Sequence, residues 1–469
     1  MTGLSDLRSA FAGKLLADQA DMAPFLTDWR NLWTGRARAV VQPDSTADVA
    51  TVVRWCAERR VPIVPQGGNT GMSGGATPDG TGEAIVLSLA RLNRVREIDT
   101  VNDSITVEAG CILQSVQDAA DRVDRYFPLS LAAEGSCTIG GNLACNAGGT
   151  GVLRYGMARE LCLGLEVVTA DGEIWDGVRG LRKDNSGYDL RDLFIGSEGT
   201  LGIITAAVLK LHPRPLARAT AFVALENPAS ALALLGLVRQ RHQGELSAFE
   251  ILSEVCMSLV VEHQPAARRL LGIAPWYLLI EFSGFSDDES VRAQLEDVLA
   301  GALEAGMVLD AAIAESLSQS AAFWAIRENI SEAQGAIGKT IKHDIAVPVS
   351  AIARFLDDAD AAVAARWPDA RRVTFGHIGD GNLHYNFSPA PEQDAAAFLA
   401  MQDDLNTLVH DIVMRHGGTI SAEHGLGVLR RDEAARLKSP VELRLQKAIK
   451  HALDPLNILN PGKVIGGAS

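Results

Sequence analysis

The chain has no long apolar run. Nowhere in its 469 residues do the roughly 18–20 consecutive apolar residues occur that a bilayer-spanning helix requires. Cysteines are few: Cys56, Cys111, Cys137, Cys145, Cys162 and Cys256 are the six, and no two stand in CxxC spacing, which excludes the usual zinc-ribbon and dithiol redox motifs. With no disulfide framework in so long a chain, a reducing compartment, the cytoplasm, is expected. Met1 to Asp28 is amphipathic and carries acids, unlike the basic start and apolar core of a signal peptide. Positive charge is in deficit: 43 Lys and Arg face 58 Asp and Glu, a net charge of −15. That balance excludes a nucleic-acid surface and an anionic membrane as partners. An anionic small molecule stays possible, because it needs only a local cluster of cations.

At 469 residues the chain exceeds one ordinary core, so two or three domains are expected. Apolar residues at Leu4, Leu7, Phe11, Leu15 and Leu16 predict helices over about the first 30 residues. Arg38–Gln42 reads as a strand, Thr46–Arg59 as a helix capped by Asp44 or Ser45, and Pro62–Pro65 as a strand. Short β-type runs recur at Ala84–Leu89, Arg94–Asp99, Ser104–Glu108, Cys162–Thr169, Glu173–Trp175 and Leu201–Leu211. A first α+β domain is thus expected to end near Pro213-Arg214-Pro215. Beyond it, strands are expected at Ala219–Ala224, Trp276–Phe282, Ile341–Pro348 and Val373–Phe387. Helices are expected at Pro228–Gln240, Asp288–Ala305, Phe323–Ala336 and Glu392–His416. This is a second α+β domain; Ser439–Gly467 adds a last helix.

Three glycine-rich loops fall in the first domain. Pro65-Gln66-Gly67-Gly68-Asn69-Thr70-Gly71-Met72-Ser73-Gly74-Gly75 follows a strand. Glycine lets backbone amides approach an anion closely, and successive N–H groups form a nest for phosphate. The loop is neither GxGxxG nor GxxxxGK[ST], so it carries no nicotinamide or ATP signature. The second run, Gly135 to Gly149, again alternates glycines with small polar donors; the third, Gly196 to Ile204, leads into an apolar strand. Three such loops suit one long ligand with a pyrophosphate, a ribityl chain and a flat ring. Three unrelated tight turns would give the same pattern.

Histidine is scarce, and three of the ten residues fall in two glycine-flanked segments. In Phe375-Gly376-His377-Ile378-Gly379-Asp380-Gly381-Asn382-Leu383-His384-Tyr385-Asn386-Phe387, the Gly-Asp-Gly-Asn stretch is strong turn chemistry. A hairpin there lets His377 and His384 face each other, with Asn386 on the face of His384. Ser421-Ala422-Glu423-His424-Gly425-Leu426-Gly427 adds a carboxylate and another imidazole. Two imidazoles and one carboxylate suit a borderline divalent metal with room left for substrate. Satisfied core histidines in a hairpin are the plain alternative. Phe323 to Ser331 reads as a helix with Arg327 and Ser331 on one face. Arg327 suits a carboxylate, whose two oxygens match its fork, although a surface ion pair with Glu328 or Glu332 would look alike.

PQGGNTG, GSCTIGGNLACNAGG, DNSGYDL, GSEGTLGIIT, HIGDGNLH, AEHGLG and LNPGK occur in this order between about residues 36 and 465. On these motifs the chain resembles the FAD-linked 2-hydroxy acid dehydrogenases, which share the fold of vanillyl-alcohol oxidase. Within them it is most similar to members acting on D-2-hydroxyglutarate; those acting on D-lactate are the nearest rivals. The resemblance implies a two-domain α+β flavoprotein: an FAD-binding domain over 1–215, a substrate (cap) domain over 216–424, and a segment over 425–469 that returns to the FAD domain. It implies FAD contacts from Pro65, Gly67, Gly68, Asn69, Thr70 and Gly71, from Ser136, Gly140, Gly141, Asn142, Asn146, Gly148 and Gly149, and from Gly199, Ile204 and Asn460.

The resemblance also implies zinc or a similar ion on His377, His384 and Glu423, with His424 as proton acceptor and substrate contact. Substrate would be held by Arg327, Ser331, Lys342 and Asn386; the family usually has threonine at the position of Ser331. The implied reaction is oxidation of D-2-hydroxyglutarate to 2-oxoglutarate with hydride transfer to flavin N5. Electrons would pass to an electron-transfer flavoprotein or a quinone, and a homodimer is compatible. Two cations, Arg327 and Lys342, fit a diacid better than lactate. D-lactate, D-malate or another D-2-hydroxy acid is the alternative substrate, and a non-catalytic electron-transfer subunit the alternative of another class. The FAD is expected to be non-covalent, since histidine is the usual tether in this fold and none precedes His212. Cys137 and Cys145 lie in the second glycine run and offer the alternative tethers, but burial as small apolar residues is expected of them.

Overall fold

The computed structural model describes residues 4–390 and 393–466. It divides into two compact units. The first comprises Met1–Gly148, Tyr155–Arg214 and Glu423–Ser469; the second comprises Gly149–Arg154 and Pro215–Ala422.

The first unit holds two main sheets. In one, Ala39–Pro43, Ile85–Ser88 and Ile63–Gln66 run parallel, and Gly13–Leu16 joins the edge antiparallel. The three parallel strands are almost continuously apolar, as expected where both faces are covered. Helix Thr46–Arg59 packs Val49, Val52, Val53 and Cys56 into the core. Ser45 caps it, its hydroxyl accepting from the Asp48 amide at 3.1 Å. The other sheet is antiparallel, ordered Val95–Asp99, Ser104–Glu108, Ile203–Lys210, Cys162–Val168, Ile174–Gly177.

The second unit is built on one antiparallel sheet of seven strands. Their order is Asp310–Ile313, Ala217–Leu225, Trp276–Gly284, Leu246–Ser253, Arg371–Gly376, Asn382–Ser388, Asp344–Ala346. Alternate side chains serve opposite faces. Leu278, Ile280 and Phe282 point to a core shared with Pro228–His242, Asp288–Glu304, Ile352–Arg366 and Gln402–Arg415. Tyr277 and Leu279 point to another, shared with Glu254–His263, Leu317–Glu328 and Ile330–Ala336.

Several elements differ from the sequence expectations. Gly13–Leu16 is a strand and not part of a helical N-terminus, because pairing with Ala39–Pro43 satisfies its backbone at the sheet edge. The helix expected over Phe323–Ala336 is two helices, Leu317–Glu328 and Ile330–Ala336. They part at Asn329, whose Nδ2 donates to the Ala325 carbonyl at 2.8 Å. Arg327 and Ser331 therefore sit on different helices and not at i and i+4 of one. The expected strand Ile341–Pro348 shrinks to Asp344–Ala346, with an isolated bridge from Ile341 to Phe387. The last long helix of the unit is split into Ala395–Leu399 and Gln402–Arg415. Glu392, its expected start, and Gly467, the expected end of the final segment, lie outside the described residues. Helix Leu113–Asp121 was not expected at all.

Candidate functional site

In the first unit the glycine loops meet backbone to backbone. A Cβ on Gly67 would stand 2.3 Å from Thr138 Oγ1, and one on Gly68 would stand 2.0 Å from the Ser136 carbonyl oxygen. The two loops can touch only because these positions are glycine. The backbone amides of Gly68, Asn69, Thr70 and Gly71 donate to no acceptor among the described residues. The Thr138 hydroxyl and the Asn460 Oδ1 are buried without a hydrogen-bond partner among the described residues. Donors and a buried hydroxyl gathered on glycine-lined backbone are what a pyrophosphate and a ribityl chain require, so these residues fit FAD. Asn460 itself is pinned through Nδ2 to the carbonyls of Gly75 and Glu198, at 2.9 and 2.7 Å.

The other expected FAD residues have mixed places. Asn142 is buried, with Nδ2 toward Cys137 Sγ. Asn146 is left-handed and its Oδ1 accepts from the Arg159 amide at 3.0 Å. Ser136 donates to the Ala133 carbonyl. Gly199 has φ +71°, Ile204 is buried in its strand, and Gly148 belongs to the first unit but Gly149 to the second.

His424 precedes a tight turn that an unanticipated carboxylate holds. Glu198 accepts from the amides of Leu426 at 2.7 Å and Gly427 at 2.9 Å. Ser73 donates to the carbonyls of His424 and Gly425. Burial raises the Glu198 carboxyl above its usual range, against the pull of these two amides and of Lys463 and Arg430. The GSEG loop thus fixes the AEHGLG loop.

In the second unit the strands Arg371–Gly376 and Asn382–Ser388 pair through Phe375 and His384. His377 lies one residue past the first strand, with its ring centroid 5.9 Å from that of His384 at 74°. Asp380 Oδ1 closes the turn on the Asn382 amide, and burial pushes its carboxyl up to about 6. His377 Nδ1 is 2.7 Å from Glu250 Oε1, while Glu250 Oε2 accepts from Arg327 Nε at 3.0 Å. Burial works to raise the Glu250 carboxyl, but the opposing effect of His377 and Arg327 holds it below the usual range. The Arg327 guanidinium lies 4.9 Å over the Phe375 ring, whose other neighbour is His384 at 4.8 Å between centroids. Arg327 is therefore a buried, oriented cation and not a surface one.

Lys342 is half-buried between Ile341, bridged to Phe387, and His343, whose amide donates to Asn386 Oδ1 at 3.0 Å. Asn386 is buried and its Nδ2 donates to Gln334, so its amide already serves the fold at both ends. Ser331 is exposed. Glu423 follows Ala422, whose amide donates to the carbonyl of Asp344, the residue opposite His384. His377 and His384 bring two imidazoles together in the second unit, and Glu423 opens the last segment of the first with a carboxylate. Two imidazoles and a carboxylate fit zinc. Glu250, Glu198 and Asp344 were missed from sequence. For Glu250 the available signal was an acid inside the apolar run Leu246–Ser253.

Residues 37–177 match the family "FAD binding domain", and residues 214–464 match "FAD linked oxidases, C-terminal domain". The structure is similar to p-cresol methylhydroxylase with substrate bound (TM-score 0.79, 17% identity, 99% of this chain and 96% of that one). It is also similar to alkyldihydroxyacetonephosphate synthase (TM-score 0.75, 18% identity, 98% and 84%). Fold and glycine loops together define an FAD-linked oxidoreductase with an FAD-binding domain of the vanillyl-alcohol oxidase type.

The chain is 40% identical over 442 residues to the mitochondrial D-2-hydroxyglutarate dehydrogenase of Arabidopsis thaliana, covering 94% of this chain and 77% of the relative. It is 39% identical over 451 residues to the D-2-hydroxyglutarate dehydrogenase of Xanthomonas citri pv. viticola, covering 96% and 94%. With the mitochondrial enzyme of Bos taurus it shares 37% over 472 residues, covering 98% and 83%. The chain belongs to the D-2-hydroxyglutarate dehydrogenase family and is an FAD-dependent dehydrogenase acting on CH–OH donors.

Proposed function

We propose that the chain oxidises D-2-hydroxyglutarate to 2-oxoglutarate in a metal-dependent reaction. The observation that carries this reading is the buried trio Arg327, Glu250 and His377, which sets a carboxylate anchor beside a histidine pair in one unit. When bound, FAD supplies N5 as acceptor of the C2 hydrogen as hydride, and a divalent ion on His377, His384 and Glu423, zinc first, supplies a Lewis acid for the 2-hydroxyl.

The protein's own residues do the rest. Arg327 offers a substrate carboxylate its two terminal nitrogens, because only Nε is taken by Glu250. Lys342 offers a second cation, which suits a diacid. His424 takes the hydroxyl proton, and Glu198 keeps the turn after it in place. The acceptor of the electrons is an electron-transfer flavoprotein or a quinone. Six free thiols suit a reducing cytoplasm.

Anaerobic mixing with a panel of D- and L-2-hydroxy acids tests the reading. D-2-hydroxyglutarate should bleach the yellow flavin absorbance fastest. Faster bleaching by D-lactate or D-malate would reassign the substrate. No bleaching by any acid would favour the electron-transfer subunit.

A further inference from the structure

Glu250 is 1% exposed, between Phe249 and Ile251 in the strand Leu246–Ser253. A carboxylate in such a place stays ionised only with partners for its oxygens. It has two, 77 and 127 positions away along the chain: Arg327 Nε at 3.0 Å and His377 Nδ1 at 2.7 Å. Strand register brings His377 near, since Ile251 and Leu252 pair with Gly376 and Phe375, and the helix Leu317–Glu328 carries Arg327. An ionised carboxylate accepts and cannot donate, so Nδ1 of His377 must carry the hydrogen. In the neutral ring Nε2 then keeps its lone pair. The same carboxylate fixes the plane of the Arg327 guanidinium, which Phe375 supports from its face. The two terminal nitrogens of Arg327 donate to no acceptor among the described residues, although its side chain is only 10% exposed.

We propose that Glu250 is a positioning residue for the reaction. One buried carboxylate sets the tautomer of His377 and the orientation of Arg327 together. The metal ligand and the substrate anchor are thereby held as one rigid piece. This inference rests on the reading of the site given under Proposed function. It differs from plain charge compensation of Arg327, which would leave the tautomer of His377 indifferent to the chemistry at position 250.

Glu250→Gln separates the two. Arg327 only donates, so the amide oxygen must turn to it. The amide NH2 then faces His377, Nδ1 becomes the acceptor, and the proton moves to Nε2. Glu250→Asp keeps two acceptor oxygens but is shorter by one methylene, so it harms packing more and the tautomer less.

The FAD-loaded wild type and both variants are compared by three measurements. Nitrogen-15 NMR of labelled histidine, with His377 assigned through His377→Gln, reads the tautomer in metal-free protein. Competition with a chromogenic chelator reads zinc affinity, and the thermal midpoint reads folding. The wild type should show Nδ1–H and Glu250→Gln should show Nε2–H. Zinc affinity should fall about 10- to 100-fold in Glu250→Gln, the range for losing an outer partner of a metal-bound histidine. It should fall less in Glu250→Asp, even where Glu250→Asp melts lower. A wild type with Nε2–H, or an unchanged tautomer in Glu250→Gln, overturns the proposal. So does a zinc loss that simply follows the melting order. A tautomer switch between the wild type and Glu250→Gln, in a protein that binds no zinc, sustains the positioning role and instead refutes the metal site.

Discussion

Arg327→Ala is the perturbation whose size follows most directly from the structure. The substitution removes the cation from Glu250, which is 1% exposed, and leaves a carboxylate with only His377 as partner. Breaking a buried ion pair from one side costs about 3–5 kcal/mol, because the surviving charge stays desolvated. The lost stacking on Phe375 falls within that figure and is not added to it. For a domain of the second unit's size, about 1 kcal/mol moves the midpoint by roughly 2–4 °C. The expected loss is therefore roughly 6–20 °C in the calorimetric transition of the second unit, measured with FAD held saturating. Adding Glu250→Gln removes the stranded charge and should recover part of that loss. Lys342→Ala leaves the Glu250 pair untouched, so it should change kinetics while lowering the transition by less than Arg327→Ala does. A midpoint for Arg327→Ala within about 1 °C of wild type would refute the reasoning. So would a double variant less stable than Arg327→Ala alone.

His384→Ala should abolish turnover and metal binding yet keep the flavin spectrum, because the glycine loops belong to another unit; full activity after verified metal loss would refute the Lewis-acid role. Acid precipitation should give a colourless pellet and a yellow supernatant, and a yellow pellet would show a covalent flavin. Cys145, expected to be buried, is only half-buried, while the other five cysteines are buried. Desolvation pushes the thiols of Cys56, Cys145 and Cys162 up to about 12 and those of Cys111 and Cys256 to about 11, and raises Cys137 as well. At mildly alkaline pH the thiolate fraction of the first five is then at most roughly a thousandth. The native flavoprotein should be silent to Ellman's reagent and release all six thiols on unfolding. Rapid reaction of a native thiol would place that cysteine in a different environment.

What the chain determined by itself was local chemistry. Glycine runs after short strands marked the phosphate-type loops, because close backbone approach is a property of the residue type. The Gly-Asp-Gly-Asn turn set His377 against His384, because a hairpin turn carries its register with it. Apolar periodicity located Thr46–Arg59, Pro228–His242 and most of the strands to within a few residues. The tertiary structure decided what depended on distant partners. Gly13–Leu16 became a strand only because the edge of Ala39–Pro43 was there to pair with it. Arg327 by its own pattern reads as a surface cation on a helix. It is a buried cation because Glu250, 77 positions earlier, meets it across packed elements. Glu250 in turn reads as an anomaly in an apolar strand until Arg327 and His377 supply its bonds. A buried charge is specified by its partners, and where those partners lie is settled by sheet register and packing, which no local window of sequence contains.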